Sequence, residues 1–286
     1  MPPRSPKPSK ADPRPPPPSE APLPPLGLRL REFALAELAS AHHHLGREGA
    51  SRHDGVHQAR KAIRRARAAL ALGRKPLGRD ARRLDTQLAV LCRGLSPLRD
   101  AQALIEGLQR LASTASAPLQ TALPELLSLA GERRAERLAR ALAADPGLER
   151  RRARLQAMSQ RLAALDWPAV KRGKAAAALS RSEARVARSR KRIHREPGND
   201  EHWHALRRRL RRLRQQDHLL AQIEPSLRPN VAVTLEEATI LGEAQDDALL
   251  LRHCGTRSPF PPDLRKLLRK EARARLRRVR SPPARE

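Results

Sequence analysis

Between Val56 and Leu70 the chain reads VHQARKAIRRARAAL, and its apolar residues return at every third or fourth position. At 3.6 residues per turn, Ala59, Ala62, Ile63, Ala66 and Leu70 gather on one side of a helix. His57, Arg60, Arg64 and Arg67 share the opposite side, within about 80° of one another. Lys61 and Arg65 flank that row. The segment is therefore an amphipathic helix with a basic face. Such a face, standing alone, is also what a solvated charge run looks like.

The rest of the chain agrees with helix. It has no Tyr, two Phe and two Trp, and its apolar content is mainly Leu and Ala. Ala, Leu and Arg are strong helix formers, and β-branched and aromatic residues are scarce. An all-α protein is predicted, with helical patterns at about 29–46, 53–73, 77–94, 97–114, 118–143, 146–165, 170–195, 201–222, 231–241, 243–254 and 262–279. Asp54 is placed to cap the helix of His57, Ser96-Pro97 to open another, and Asp200 to cap a third. Asp145-Pro146-Gly147 and Glu196-Pro197-Gly198-Asn199 read as breaks. Residues 1–28 hold nearly half of the 26 prolines and read as a disordered, Pro-rich tail. Residues 280–286 are expected to fray.

The charge narrows the partner. The chain carries 59 basic against 30 acidic residues, a net charge of +29, and only nine of the basic residues are lysine. Self-repulsion of this size calls for a polyanionic partner, and arginine suits bidentate phosphate contacts. Two cysteines, Cys92 and Cys254, are too few for a disulfide framework, which fits a reducing cytoplasm. No apolar run approaches the ~20 residues of a membrane span. A soluble, cytoplasmic protein is expected.

A second segment repeats the first. Trp203 to Gln216 reads WHALRRRLRRLRQQ, with His204, Arg207, Arg211 and Arg214 at the same three-four-three spacing and Arg212 in the place of Arg65. Leu206, Leu210 and Leu213 hold the core side. Each copy precedes a helix with an Asp expected near its start, PLRDAQALIEGL with Asp100 and EAQDDALLL with Asp246. Two unrelated solvated faces have no reason to agree at this remove, so the chain reads as an internal duplication, with a first half at about 29–145 and a second at about 146–279.

The pattern H-x-x-R-x-x-x-R-R-x-R, present twice and each time followed by RD or QD, resembles the CHAD family, the conserved histidine α-helical domain. The resemblance covers about 29–279. It implies two antiparallel helical bundles related by a pseudo-twofold axis, a basic surface or channel, and binding of inorganic polyphosphate. By that resemblance the binding residues are His57, Arg60, Arg64, Arg65 and Arg67 in the first motif, and His204, Arg207, Arg211, Arg212 and Arg214 in the second. This chain departs from the family in having Ala66 where Leu is usual, Gln215 where an aromatic is common, and Gln245 in the place that Arg99 holds before the first Asp.

Polyphosphate has no bases, so its binder needs a track of cations and nothing that reads base edges. Helical rows three and four apart set side chains ~5–6 Å from one another. Two further arginine rows, Arg181-Arg185-Arg188-Arg192 and Arg133-Arg137-Arg140, read as solvated faces. Asp100 and Asp246 are read as supporting residues that orient an arginine or favour a helix N-terminus. No cofactor or metal is expected. His42-His43-His44 point in different directions around a helix and cannot share one ion. No P-loop, no G-x-S-x-G and no carboxylate cluster appears. The E-x-E-x-K strand of the triphosphatases that often accompany this family is also missing, so an enzyme is not expected. The rival partner is nucleic acid, which the charge permits but the scarcity of stacking aromatics disfavours. A structural coat on storage granules is the third reading.

Overall fold

The computed structural model describes residues 23–230, 235–256 and 258–280. Ten α-helices, and no strand, are found among the described residues. They are α1 (Leu26–Leu45), α2 (Arg52–Gly73), α3 (Gly78–Gly94), α4 (Ser96–Leu111), α5 (Ala117–Ala144), α6 (Glu149–Ala163), α7 (Arg172–Arg195), α8 (Asp200–Ile223), α9 (Leu235–His253) and α10 (Pro262–Arg280).

At the centre α1 packs against α2. Leu30, Ala34, Leu38, Ala41 and Leu45 return every three or four residues and are buried. They meet the small residues Ala59, Ala62, Ala66 and Ala69 of α2, also buried. Small side chains let the two helices approach closely. A Cβ added at Gly55 would stand 2.3 Å from the His44 carbonyl oxygen, so this contact requires glycine. Each buried Leu contributes roughly 1.5–3 kcal/mol of apolar transfer, so the α1 stripe is a principal anchor of the fold.

Two apolar cores result. The larger joins α1, α2 and α3 with α6, α7 and α8, around the buried Trp167. The smaller joins α4 and α5 with α9 and α10. Each core thus draws helices from both halves of the sequence. The motif helices α2 and α8 lie against one another, and Leu206, Leu210 and Leu213 of α8 are buried there.

Several local expectations are corrected. Residues 231–241 and 243–254 do not form two helices; α9 runs unbroken through Gly242. A glycine costs a helix only ~1 kcal/mol, and buried Leu241, Leu249 and Leu250 hold the segment in one piece. Residues 231–234 lie outside the described residues, as do the Pro-rich residues 1–22 and residues 281–286. The first helix begins at Leu26, within the expected tail, because Leu26 and Gly27 are buried against the core. Asp54 does not cap α2. It is the third residue of a helix that starts earlier, where it pairs with Arg47 and accepts a hydrogen bond from Gln58 at 3.0 Å. For α8 the cap is Asn199, whose side chain accepts from the Glu201 amide at 3.0 Å, and not Asp200. Ser96 lies inside α4, with Leu95 ahead of it. The break at Asp145-Pro146-Gly147 is present: Gly147 and Leu148 take φ of 59° and 58°. Buried Asp145 accepts from the Arg150 amide at 2.9 Å and from Arg151 at 2.6 Å.

Candidate polyanion site

The packing of α2 on α8 sets the basic faces of the two motifs side by side. Two depressions run along this seam. One, of about 510 Å³, is lined by His57, Arg64 and Arg65 from α2 and by Arg207, Arg211 and Arg214 from α8. The other, of about 360 Å³, is lined by Arg60, Arg64, Arg67, Arg208, Arg211 and Arg212, and is walled by α3. Arg64 and Arg211 border both and form the ridge between them. A third depression continues past Arg207, which it shares with the first, to His204 and Arg252. Every motif residue named from the sequence therefore lines one connected groove system.

Within it the two motifs do different jobs. Arginines of the first are mostly held by neighbouring helices. Arg65 donates to Glu37 on α1 at 2.6 Å and Arg67 to Asp85 on α3 at 2.7 Å. Arg60 donates to the Cys92 carbonyl and to Ser96 Oγ, the latter at 2.8 Å. Arg64 is the exception: its side chain has no hydrogen bond or ion pair among the described residues, and its Nε is buried. In the second motif Arg207, Arg211, Arg212 and Arg214 have no ion pair among the described residues, while Arg208 and Arg209 flank them. Burial pushes the Arg64 guanidinium down to about 10 and Arg211 down to about 9, with Arg64 and Arg207 adding repulsion. Burial likewise lowers Arg207 and Arg212. Arg64 and Arg211 are still charged at neutral pH. Asp246 acts on Arg207 and Asp85 on Arg212, but Arg64 and Arg211 have no carboxylate beside them and lack the compensation that buried charge requires; an anion in the groove would supply it.

The histidines are neutral members of this site. His57 Nδ1 accepts from Arg99 Nε at 2.8 Å, which leaves Nε2 as the protonated nitrogen. Arg99 is itself fixed by Glu106 at 2.8 Å. Burial, then the Arg99 charge, lowers the His57 pKa. Burial, then Arg208, lowers that of His204. His204 has no counterpart of Arg99; Gln245 lines the same depression instead.

Asp246 lies in the middle of α9 and not near a helix start, since Gly242 does not break the chain. It pairs with Arg110 at 2.6 Å, burial raises its pKa, and Arg207 is within its field. Asp100 lies on α4, beyond its first turn, where its charge faces His253. Burial, then Arg137, holds that imidazole down at about 4, against the opposing pull of Asp100. Asp246 thus lies beside one motif arginine, Arg207, and Asp100 beside His253. Of the two further arginine rows, Arg185, Arg188 and Arg192 are exposed on α7 beside Arg209. Arg133 and Arg140 are both paired to Glu136 on α5.

Sequence reasoning missed Arg99, Arg252, Arg93 and His218 as members of the site. His218 was within reach, because it continues the Arg207-Arg211-Arg214 row by one more turn. Arg93, Arg99 and Arg252 come from α3, α4 and α9, and no periodicity within α2 or α8 points to them. Among the described residues there is no group of His, Cys, Asp and Glu that could hold a metal ion, and no helix is long and apolar enough to cross a membrane.

No curated protein and no solved structure matches the chain. The sequence model of the CHAD domain family matches residues 28–255, which takes in both motifs and the helices that carry the groove. The chain is a member of the CHAD domain family.

Proposed function

We propose that the α2–α8 groove binds inorganic polyphosphate and does not hydrolyse it. The observation that carries this reading is the ridge of Arg64 and Arg211. Two partly buried guanidiniums, lowered by burial, border both depressions with no carboxylate between them. A flexible chain of phosphates can neutralise several of these cations at once through bidentate contacts, and it needs no aromatic platform. The groove offers little stacking surface: Trp167 and Phe260 are in the cores, and Trp203 borders only the His204 depression. His57, held by Arg99, presents Nε2–H as a neutral donor beside the arginines. On this reading α2 and α8, with the helices that follow them, descend from one duplicated unit and form pseudo-twofold related bundles. The protein acts in the cytoplasm, free or on polyphosphate granules.

Long-chain polyphosphate should displace labelled duplex DNA from the protein at equal phosphate concentration. DNA that instead displaces polyphosphate would make nucleic acid the partner. The variant Arg64→Ala with Arg211→Ala should lose at least about tenfold in polyphosphate affinity, as two charge-assisted contacts predict, with unchanged helicity by circular dichroism. Unchanged affinity would reduce the motif to a solvated face.

A further inference from the structure

Helix α3 has a second business side. Ala89, Cys92 and Arg93 face the polyanion groove, whereas Thr86, Gln87, Val90, Leu91 and Gly94 line a separate depression of about 640 Å³ on the other side. That depression is closed by α6 and by the turn at Asp145. Its floor is apolar, formed by Val90, Leu91, Ala157 and Met158. Val90 is 54% exposed, one of few large apolar side chains left open to water. The size falls in the range of small-ligand pockets, ~300–1,000 Å³.

Its rim is cationic. Arg151 is neutralised by Asp145 at 2.6 Å. Arg150 gives Asp145 only its backbone amide, and Arg161 reaches only the neutral Gln87 amide at 2.7 Å. Arg154 has no hydrogen bond or ion pair among the described residues. Three guanidiniums of α6 that are not paired to a carboxylate thus line one side of an apolar floor, beside the neutralised Arg151–Asp145 pair. An inorganic polyanion would leave that floor wet, and a neutral apolar molecule would leave the rim unpaired. We propose that this depression binds a small amphipathic anion, a short alkyl chain ending in a carboxylate or phosphate, with the chain on Val90 and Met158 and the head between Arg150 and Arg154. The inference does not rest on polyphosphate binding, since this depression shares no lining residue with the two along the α2–α8 seam.

The test is calorimetric titration of the full chain with octanoate, octan-1-ol and acetate. Octanoate should saturate one site per chain with a dissociation constant on the order of millimolar. Octanol should bind about tenfold more weakly, and acetate not measurably. Arg150→Gln with Arg154→Gln should weaken octanoate about tenfold and leave octanol unchanged. Val90→Asp, on an exposed side chain whose loss does not open the core, should remove both. Arg64→Ala with Arg211→Ala should leave octanoate binding intact. Equal affinity for octanoate and octanol, insensitivity to the Arg150/Arg154 change, or loss in the Arg64/Arg211 variant would each overturn the proposal. So would binding of phosphatidylglycerol vesicles at this face without binding of octanoate, which would assign it to a membrane surface.

Discussion

Arg211 is the residue at which stability and the proposed function pull apart. Its guanidinium is pushed down to about 9 by burial and by Arg64 and Arg207, so the free protein carries an uncompensated charge. Replacing a buried charge by an apolar side chain of similar length is often stabilising by about 1–4 kcal/mol. Arg211→Met keeps the stem that packs on the seam. It should stabilise the free protein by about 1–2 kcal/mol in urea melts at pH 7, while polyphosphate binding weakens. The sign in pH follows from linkage. The folded pKa of about 9 lies below the value of an arginine in the unfolded chain, so well below pH 9 both states are protonated and the penalty is complete. As pH rises through 9 the unfolded chain holds more protons and wild-type stability rises relative to the Met variant. A Met variant less stable than wild type at pH 7 would show that Arg211 is compensated within the chain. The periodicity of WHALRRRLRRLRQQ identifies the face on which Arg211 sits. It does not separate Arg211 from Arg65 or Arg67, which look alike in sequence. The difference lies in Glu37 and Asp85, carboxylates brought by α1 and α3, and local spacing has no access to them.

At the scale of the element, the helices were legible wherever an apolar stripe ran uninterrupted, as in α2 and α8. They were misread where a local breaker competed with packing. Gly242 suggested a division between two helices, yet α9 passes through it because Leu241 on one side and Leu249 and Leu250 on the other are buried. The cost of that glycine is still present in the fold. A Cβ at Gly242 meets nothing within 4 Å, so Gly242→Ala should stabilise the protein by about 0.5–1 kcal/mol. A shift of the urea midpoint to higher concentration with an unchanged slope would report it. A lower midpoint would mean that the backbone at Gly242 needs a freedom alanine lacks. Gly55 provides the contrast: there an added Cβ would meet the His44 carbonyl at 2.3 Å, and the same substitution must part α1 from α2. Both glycines stand inside helices, and only the packed neighbours reveal which one is replaceable.

On the scale of the whole molecule, a net charge of +29 would attract any polyanion, so affinity alone does not distinguish a built groove from a charged surface. The distribution of that charge does. Many arginines outside the groove are neutralised locally, as Arg133 and Arg140 are by Glu136, whereas Arg207, Arg211, Arg212 and Arg214 make no ion pair among the described residues, and Arg211 has no carboxylate beside it. Pairing of this kind is invisible to a charge count, which is why the sequence could point to the two basic faces and not to which of their arginines are left without a carboxylate. Ion release makes the difference measurable, because each cation that meets a phosphate adds to the dependence of affinity on salt. Arg214→Met should lower the slope of log affinity against log salt for polyphosphate by about one. Arg140→Met removes the same formal charge from the chain, yet its guanidinium is already engaged with Glu136, and it should leave the slope unchanged. Equal reductions from the two variants, in titrations from low to physiological salt, would mean that polyphosphate samples the whole basic surface and that the seam between α2 and α8 holds no privileged position on it.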